Sequence, residues 1–357
     1  MSGGYIFIII GIIYLISYNS RESFLNYRTC SNKPLSKRLL TIFNKYGLIN
    51  NQSKWDVYIP CDYTNIEAEL KTILPGPSRQ KIFGISGGDY IVSKYYLWKT
   101  LLKRYSSNYT SFFPKTYSCS RGGIRELLNN HKDGQKYIAK KDTQRQTGLH
   151  IIHSITDIYT VLNDTKNVVI QNLLNNPFLI KGRKINMRIY LLIVCNSGKI
   201  EAYIHQNGFM YYTPKMFNYK STDKDAHITT GYIDREIYNT HPLTIDEFYT
   251  YLDKNNYNCN KLKSSIVKTF RQVLAAIRVP ICKKPNIYNR VTFQLFGCDI
   301  APDTNLNVKL IEINKGPDLS AKSSKDDKVK NEVVLDTFNK VGIIPGRDKM
   351  NRFIKIM

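Results

Sequence analysis

The chain has 357 residues, 42% of them hydrophobic and 22% charged, enough to bury a full core and too apolar for a disordered or low-complexity polymer. Its 52 Lys and Arg against 28 Asp and Glu leave a net charge of +24, which favours an anionic partner such as nucleic acid, anionic lipid, nucleotide or acidic polypeptide. Seven cysteines stand singly with no C-x-x-C, which argues for reduced thiols facing cytosol and against a zinc ribbon or a disulfide scaffold.

Residues 5–18 carry no charge. They span about 21 Å as a helix, less than the roughly 30 Å of a bilayer core. Tyr5 and Tyr18 flank the run, no basic residue precedes it, and Arg21, Arg28, Lys33, Lys37 and Arg38 follow. This pattern predicts a membrane anchor over 1–20 with the C-terminal bulk in the cytoplasm, a cleaved signal or a buried helix being the alternatives. Residues 21–54 read as a basic linker and 55–345 as the globular domain. In that domain a Gly-rich turn (84–90) leads into a helix over 93–105, with Leu97 and Leu101 at helical spacing. Strand signals follow at 136–140 and 167–174. A hairpin is predicted from 185–195 through Asn196-Ser197-Gly198 to 199–206. Helical sequence at 245–278 precedes a second hairpin, 290–300 with 306–314. Helices and strands mix without a strict βαβ repeat, so the fold class is α+β with candidate site residues on antiparallel strands.

The second hairpin carries the clearest chemistry. Glu312 and Asn314 are two apart and share a strand face, and a turn near residue 305 sets Asp299 opposite Glu312. Leu310, of the same parity, makes that face partly buried. Two carboxylates and an amide oxygen are ligands for a hard cation such as Mg²⁺. Upstream, Lys140 ends a short apolar strand before a loop with one glycine, Gly148. Lys184, Asn186 and Arg188 share a face of the first hairpin. Cations facing an acidic triad describe a site for a nucleotide polyphosphate.

The motifs FFPKTY (112–117), YIAK (137–140), VVIQNLLNNPFLIKGRKINMRIYLLIV (168–194), NGF (207–209), AHITT (226–230), GCDI (297–300) and LIEINKGP (310–317) occur in one order. In that order the chain resembles the tubulin tyrosine ligase-like family, a branch of the ATP-grasp superfamily. The resemblance implies an ATP-grasp-like fold: antiparallel sheets sandwiching a nucleotide site, with an N-terminal α/β lobe and here an apolar N-terminal helix. It implies a monomeric ligase that uses ATP and Mg²⁺ to join a free amino acid to an acidic protein tail, tubulin foremost, through an acyl phosphate. Asp299, Glu312 and Asn314 would hold the metal. Lys140, Gly148, Gln171, Leu173, Lys184 and Asn186 would bind the nucleotide. Arg188, Lys184, His227 and Thr229 would serve catalysis.

Four positions depart from the family pattern. Asn186 stands for an Asp, Tyr211 for an Arg, Thr230 for an Asn, and the phosphate loop has one Gly where relatives often have two. Losing an arginine that steadies developing charge costs about 3–4 kcal/mol unless another group replaces it. The alternative reading is therefore a catalytically weakened, membrane-tethered nucleotide-binding adaptor. No nucleic-acid motif is present. The Lys-, Asn- and Ile-rich composition suits an AT-rich genome, that of a large DNA virus or a protist.

Overall fold

The structure, a computed structural model, describes residues 25–30, 34–142, 149–162 and 167–357. Strand β1 (Asn26–Thr29) is followed by helix α1 (Lys37–Lys45), β2 (Ile49–Asn50), β3 (Val57–Ile59), α2 (Ile66–Thr72) and β4 (Lys81–Ile82). These four strands pair in parallel. Helices α3 (Gly88–Val92) and α4 (Lys94–Tyr105) lead to β5 (Thr116–Ser118), α5 (Arg121–Asn129), β6 (Tyr137–Lys141), β7 (Leu149–Ile152), α6 (Ile155–Leu162) and β8 (Asn167–Asn172). Strands β5 to β8 form a separate antiparallel sheet in the order β5-β8-β6-β7. Its back packs on Ile124 and Leu127 of α5 and Ile158 of α6.

The second half begins with β9 (Leu179–Ile180) and the long β10 (Arg183–Asn196), then β11 (Lys199–His205) and β12 (Phe209–Tyr212). Helices α7 (Ile245–Lys254) and α8 (Cys259–Ile277) precede the hairpin β13 (Val291–Pro302) and β14 (Val308–Asn314). Helix α9 (Ser324–Lys340) and β15 (Phe353–Lys355) follow. The large mixed sheet runs β15-β11-β10-β13-β4-β3-β1-β2, with β9 and β12 on β10 and β14 on β13.

Local chemistry explains the elements. Ser197 and Gly198 have φ of 47° and 79°, the two positive values that a tight two-residue hairpin turn requires, and so β10 returns as β11. Thr244 and Glu247 form a capping box at the start of α7. One face of the large sheet buries Ile185, Met187, Ile189, Cys298 and Ile300 against Phe248 of α7 and Ile266, Phe270 and Leu274 of α8. The other buries Tyr190, Leu192, Phe293 and Leu295 against Ile42 and Phe43 of α1 and Val333 and Phe338 of α9. Each such side chain contributes about 1.5–3 kcal/mol by leaving water.

Several expectations change. Among the described residues no helix is long and apolar enough to cross a membrane, and this overturns the membrane-anchored localisation. Residues 5–18, which carried both that reading and the apolar N-terminal helix, lie outside the described residues. The stretch taken for a linker contains β1, α1 and β2, with Tyr27, Ile42 and Phe43 in the core. The folded unit continues past residue 345, since β15 pairs with β11. Cysteines 30 and 61, and 195 and 282, form disulfides across Cα separations of 5.2 and 6.1 Å; Cys119, Cys259 and Cys298 are free thiols. Pairs brought together from 31 and 87 residues apart leave no local spacing to read.

Candidate functional site

The two sheets face each other across a cavity of about 410 Å³. Strand alternation decides what enters it. On the small sheet Ile138, Lys140 and Gln171 line the cavity, while Tyr137, Ala139 and Ile170 turn to the helices behind. On the large sheet Lys184, Asn186 and Arg188 of β10 line it, while Ile185, Met187 and Ile189 enter the core. Register then aligns the charges. Arg188 pairs with Asp299 across β10 and β13, and Asp299 pairs with Glu312 across β13 and β14. A bulge between Asp299 and Ile300 sets Ile300 opposite Leu310, so Leu310 points into the core with Ile300. Leu310 therefore does not share the face of Glu312 and Asn314. Ile311 supplies the apolar wall beside them.

The contacts are specific. Arg188 forks Asp299, Nε donating to Oδ1 at 2.5 Å and Nη2 to Oδ2 at 3.0 Å. Its guanidinium carbon lies 5.2 Å from the ring centre of Tyr211. Asn314 Nδ2 donates to Glu312 Oε1 at 3.2 Å. Lys184 Nζ donates to the His227 carbonyl at 3.0 Å. His227 Nε2 lies 2.8 Å from the Ser221 carbonyl, which fixes that nitrogen as the donor. Asp142 accepts from Ser93 Oγ at 2.8 Å and from the Lys94 backbone N–H at 3.0 Å, tying the start of α4 to the end of β6.

Electrostatics follow from burial and neighbours. Burial brings the Lys140 ammonium down to about 8, with Glu312 pulling upward and Lys94 downward. Burial, then the nearby Lys140, brings Lys184 to about 8 as well. Burial works against the charge of Arg188, but Asp299 outweighs it and the guanidinium stays ionised. Burial pushes Asp299 above the ordinary carboxylate value despite Arg188, and Glu312 adds to the rise. Glu312 goes the other way: burial raises it, but Lys140 and Lys94 prevail and hold it below its ordinary value. Burial also lowers His227.

Two adjacent carboxylates and one amide oxygen are chemically suited to a hard divalent cation, and a cation between them would offset the burial and the Glu312 repulsion that raise Asp299. Among the described residues there is no cluster of three or more His, Cys, Asp or Glu, so the donor set depends on Asn314. Three buried amide oxygens, Oε1 of Gln171, Oδ1 of Asn172 and Oδ1 of Asn186, have no hydrogen-bond partner among the described residues. All three residues line the cavity and suit a ligand with N–H or O–H donors.

The structure brings Lys140, Gln171, Leu173, Lys184, Asn186, Arg188, His227, Thr229, Asp299, Glu312 and Asn314 to this one cavity. Gly148 lies outside the described residues. The Leu173 N–H donates to the Lys136 carbonyl and is therefore engaged within the fold. Sequence reasoning missed Lys94, Tyr232, Asp318 and Lys322. Lys94 directly follows the helix-capping Ser93, a signal for a helix start and not for a ligand contact.

Residues 77–351 match the profile of the tubulin-tyrosine ligase family. The chain is 24% identical over 305 residues to tubulin polyglutamylase TTLL6 of Homo sapiens, covering 79% of this chain and 33% of that protein. It is 24% identical over 297 residues to tubulin monoglutamylase TTLL4 of Mus musculus, covering 74% and 24%. With a probable beta-tubulin polyglutamylase of Tetrahymena thermophila it shares 24% over 289 residues, covering 72% and 24%. The chain thus spans a third or less of the length of these three relatives.

Proposed function

The chain belongs to the tubulin-tyrosine ligase family, and on that premise we propose that it is an ATP-dependent carboxylate–amine ligase that adds glutamate to an acidic tail of tubulin. The observation that carries the reading is the charge arrangement of the cavity. Lys94, Lys140, Lys184, Arg188 and Lys322 meet Asp299, Glu312 and Asp318, a basic surplus suited to a polyphosphate beside an acidic pair suited to its cation. Glutamate and tubulin come from what the relatives' names say of those proteins. The net charge of +24 supports an acidic acceptor.

The chemistry would run in two steps. An acceptor carboxylate oxygen attacks the γ-phosphorus, the bond to ADP breaks, and an acyl phosphate forms. The amine of glutamate attacks the acyl carbon, phosphate leaves, and the amine proton passes to solvent. Lys140 and Lys184 would hold the phosphates and offset the charge that develops on them. Gln171, Asn172 and Asn186 would accept from the amino group and hydroxyls of the nucleoside, with Leu173 against its apolar face. His227, through its carbonyl, would steady Lys184, and Thr229 would lie beside the phosphates. Arg188 would hold the carboxylate. Magnesium, when bound at Asp299, Glu312 and Asn314, would neutralise phosphate charge.

Purified protein incubated with ATP, labelled glutamate and tubulin is expected to label tubulin, and Glu312→Gln is expected to abolish both labelling and Mg²⁺-dependent ATP binding. Unchanged Mg-ATP binding in Glu312→Gln would overturn the site. A second reading, a nucleotide-binding protein with weakened catalysis, is favoured by Tyr211, which packs on Arg188 where the family pattern has an arginine. ATP binding without label transfer would select it.

A further inference from the structure

One arginine holds both oxygens of the carboxylate best placed for a divalent cation. The fork from Arg188 to Asp299 uses Oδ1 and Oδ2 together, and the side chains are only 15% and 12% exposed. Register makes the contact, since the two residues are direct cross-strand partners. Two neighbours shape it. The Tyr211 ring lies against the guanidinium. Gly297 leaves it room, because a Cβ there would stand 3.2 Å from Arg188 Cδ and 3.3 Å from Nη1. Glu312 differs: its Oε1 accepts from the Asn314 amide, and among the described residues no Arg188 donor bonds it. The arginine has therefore been placed on one member of the acidic pair and not shared between them.

The fork takes one lone pair on each Asp299 oxygen, so a cation bonded directly there crowds the guanidinium from a remaining lone pair or displaces an arm. It also brings a double positive charge against a buried guanidinium, and the two repel across a site that water screens poorly. We propose that Arg188 and a divalent cation compete for Asp299, and that cation binding releases the guanidinium to take a carboxylate in the cavity. Arg188 then binds one ligand directly and couples it to the other. Without the cation its charge is spent on Asp299, and an incoming carboxylate meets a neutralised pair. With the cation bound, the free guanidinium offers a planar fork to that carboxylate. Binding is ordered as a result, cation first and carboxylate second. Only the identity of the carboxylate rests on the ligase reading; the competition does not.

The test uses the full chain and Mn²⁺ without nucleotide, following free Mn²⁺ by its electron paramagnetic resonance signal. Arg188→Met keeps side-chain bulk and removes the competitor, so it is expected to bind Mn²⁺ more tightly than wild type by roughly 5- to 150-fold. Equal or weaker binding, or no Mn²⁺ binding by either protein, overturns the proposal. Should Arg188→Met fail to fold by circular dichroism, Tyr211→Leu removes the ring alone and is expected to tighten Mn²⁺ severalfold; an unchanged affinity there overturns it equally. In wild type a Glu-rich peptide is expected to bind more tightly with Mn²⁺ and a non-hydrolysable ATP analogue than without them, and equal affinity refutes the ordering. Tighter Mn²⁺ binding by Arg188→Met with no ATP binding by wild type supports the competition and overturns only the ligase reading.

Discussion

Lys140 and Lys184 are both buried in the cavity wall, and burial leaves each ammonium with a pKa of about 8. An unfolded lysine titrates near its ordinary value of 10.5. Below about pH 8 both folded and unfolded chains hold these protons; between about 8 and 10.5 only the unfolded chain does, so their contribution to stability rises with pH in that window. Polyphosphate binding has the opposite dependence, because it needs the charged form. Mg-ATP affinity is expected to be flat near pH 7 and to fall as pH passes about 8, with proton uptake on binding there. Calorimetry in buffers of different ionisation heat measures that uptake, and zero uptake would remove both lysines from the phosphate site. Lys140→Met is expected to weaken binding at about pH 7 by about 1.5–3 kcal/mol and to reduce the uptake. Both lysines were legible as candidates because strand parity and motif order single them out. Lys94 was not, because it reaches the cavity from a helix start whose placement depends on Asp142, 48 residues away.

At the scale of elements, the hairpin β13–β14 shows what pattern reading resolves and where it stops. Turn position predicts the pairing of Asp299 with Glu312, and the ladder has it. The same counting sets Leu310 on the wrong face, because a bulge is an irregularity of the ladder that alternation cannot announce. A buried polar network on α9 was invisible for a related reason: its partners come from two other segments, one of them 131 residues away. Asp336 Oδ1 accepts from Arg347 Nε at 2.9 Å and Nη2 at 2.7 Å, and Oδ2 accepts from the Arg352 N–H at 2.8 Å and lies 3.2 Å from His205 Nε2. The side chain is fully buried and ties α9 to β11 and to the segment before β15. Asp336→Asn leaves the Arg347 guanidinium without its anion inside a buried network and is expected to cost about 3–5 kcal/mol. Asp327 on the same helix pairs with Arg38 at 2.7 Å but is 58% exposed, so Asp327→Asn is expected to cost about 0–1 kcal/mol. Urea unfolding of the two variants measures the contrast. Equal midpoints would mean that the buried network contributes little beyond packing.

For the whole molecule, charge and fold make separate demands. The α+β class was legible because long apolar strands alternate with amphipathic helices over most of the chain. The role of residues 26–50 was not, because Tyr27, Ile42, Phe43 and Leu48 are scattered apolar anchors in a basic surround, and only the folded core supplies their partners. The surplus of 52 basic over 28 acidic side chains persists outside that core. Helices α4 and α8 contain no Asp or Glu and expose Lys99, Lys103, Arg104, Lys261, Lys263, Lys268 and Arg271. Exposed charge of one sign attracts an acidic chain over distances set by the Debye length, about 30 Å at 0.01 M salt and about 8 Å at 0.15 M. Buried charge is screened far less. The two ligands are therefore expected to respond differently to salt. Binding of a Glu-rich peptide should weaken by roughly an order of magnitude or more as salt rises through that range, mainly through a slower association rate. Mg-ATP, which the proposed function sets between Lys140, Lys184 and the acidic pair inside the cavity, should lose much less. Stopped-flow association of a labelled peptide and parallel nucleotide titrations measure both. A peptide association rate independent of salt would show that the basic surplus does not guide the acceptor, and would leave capture of the tail to contacts inside the cavity alone.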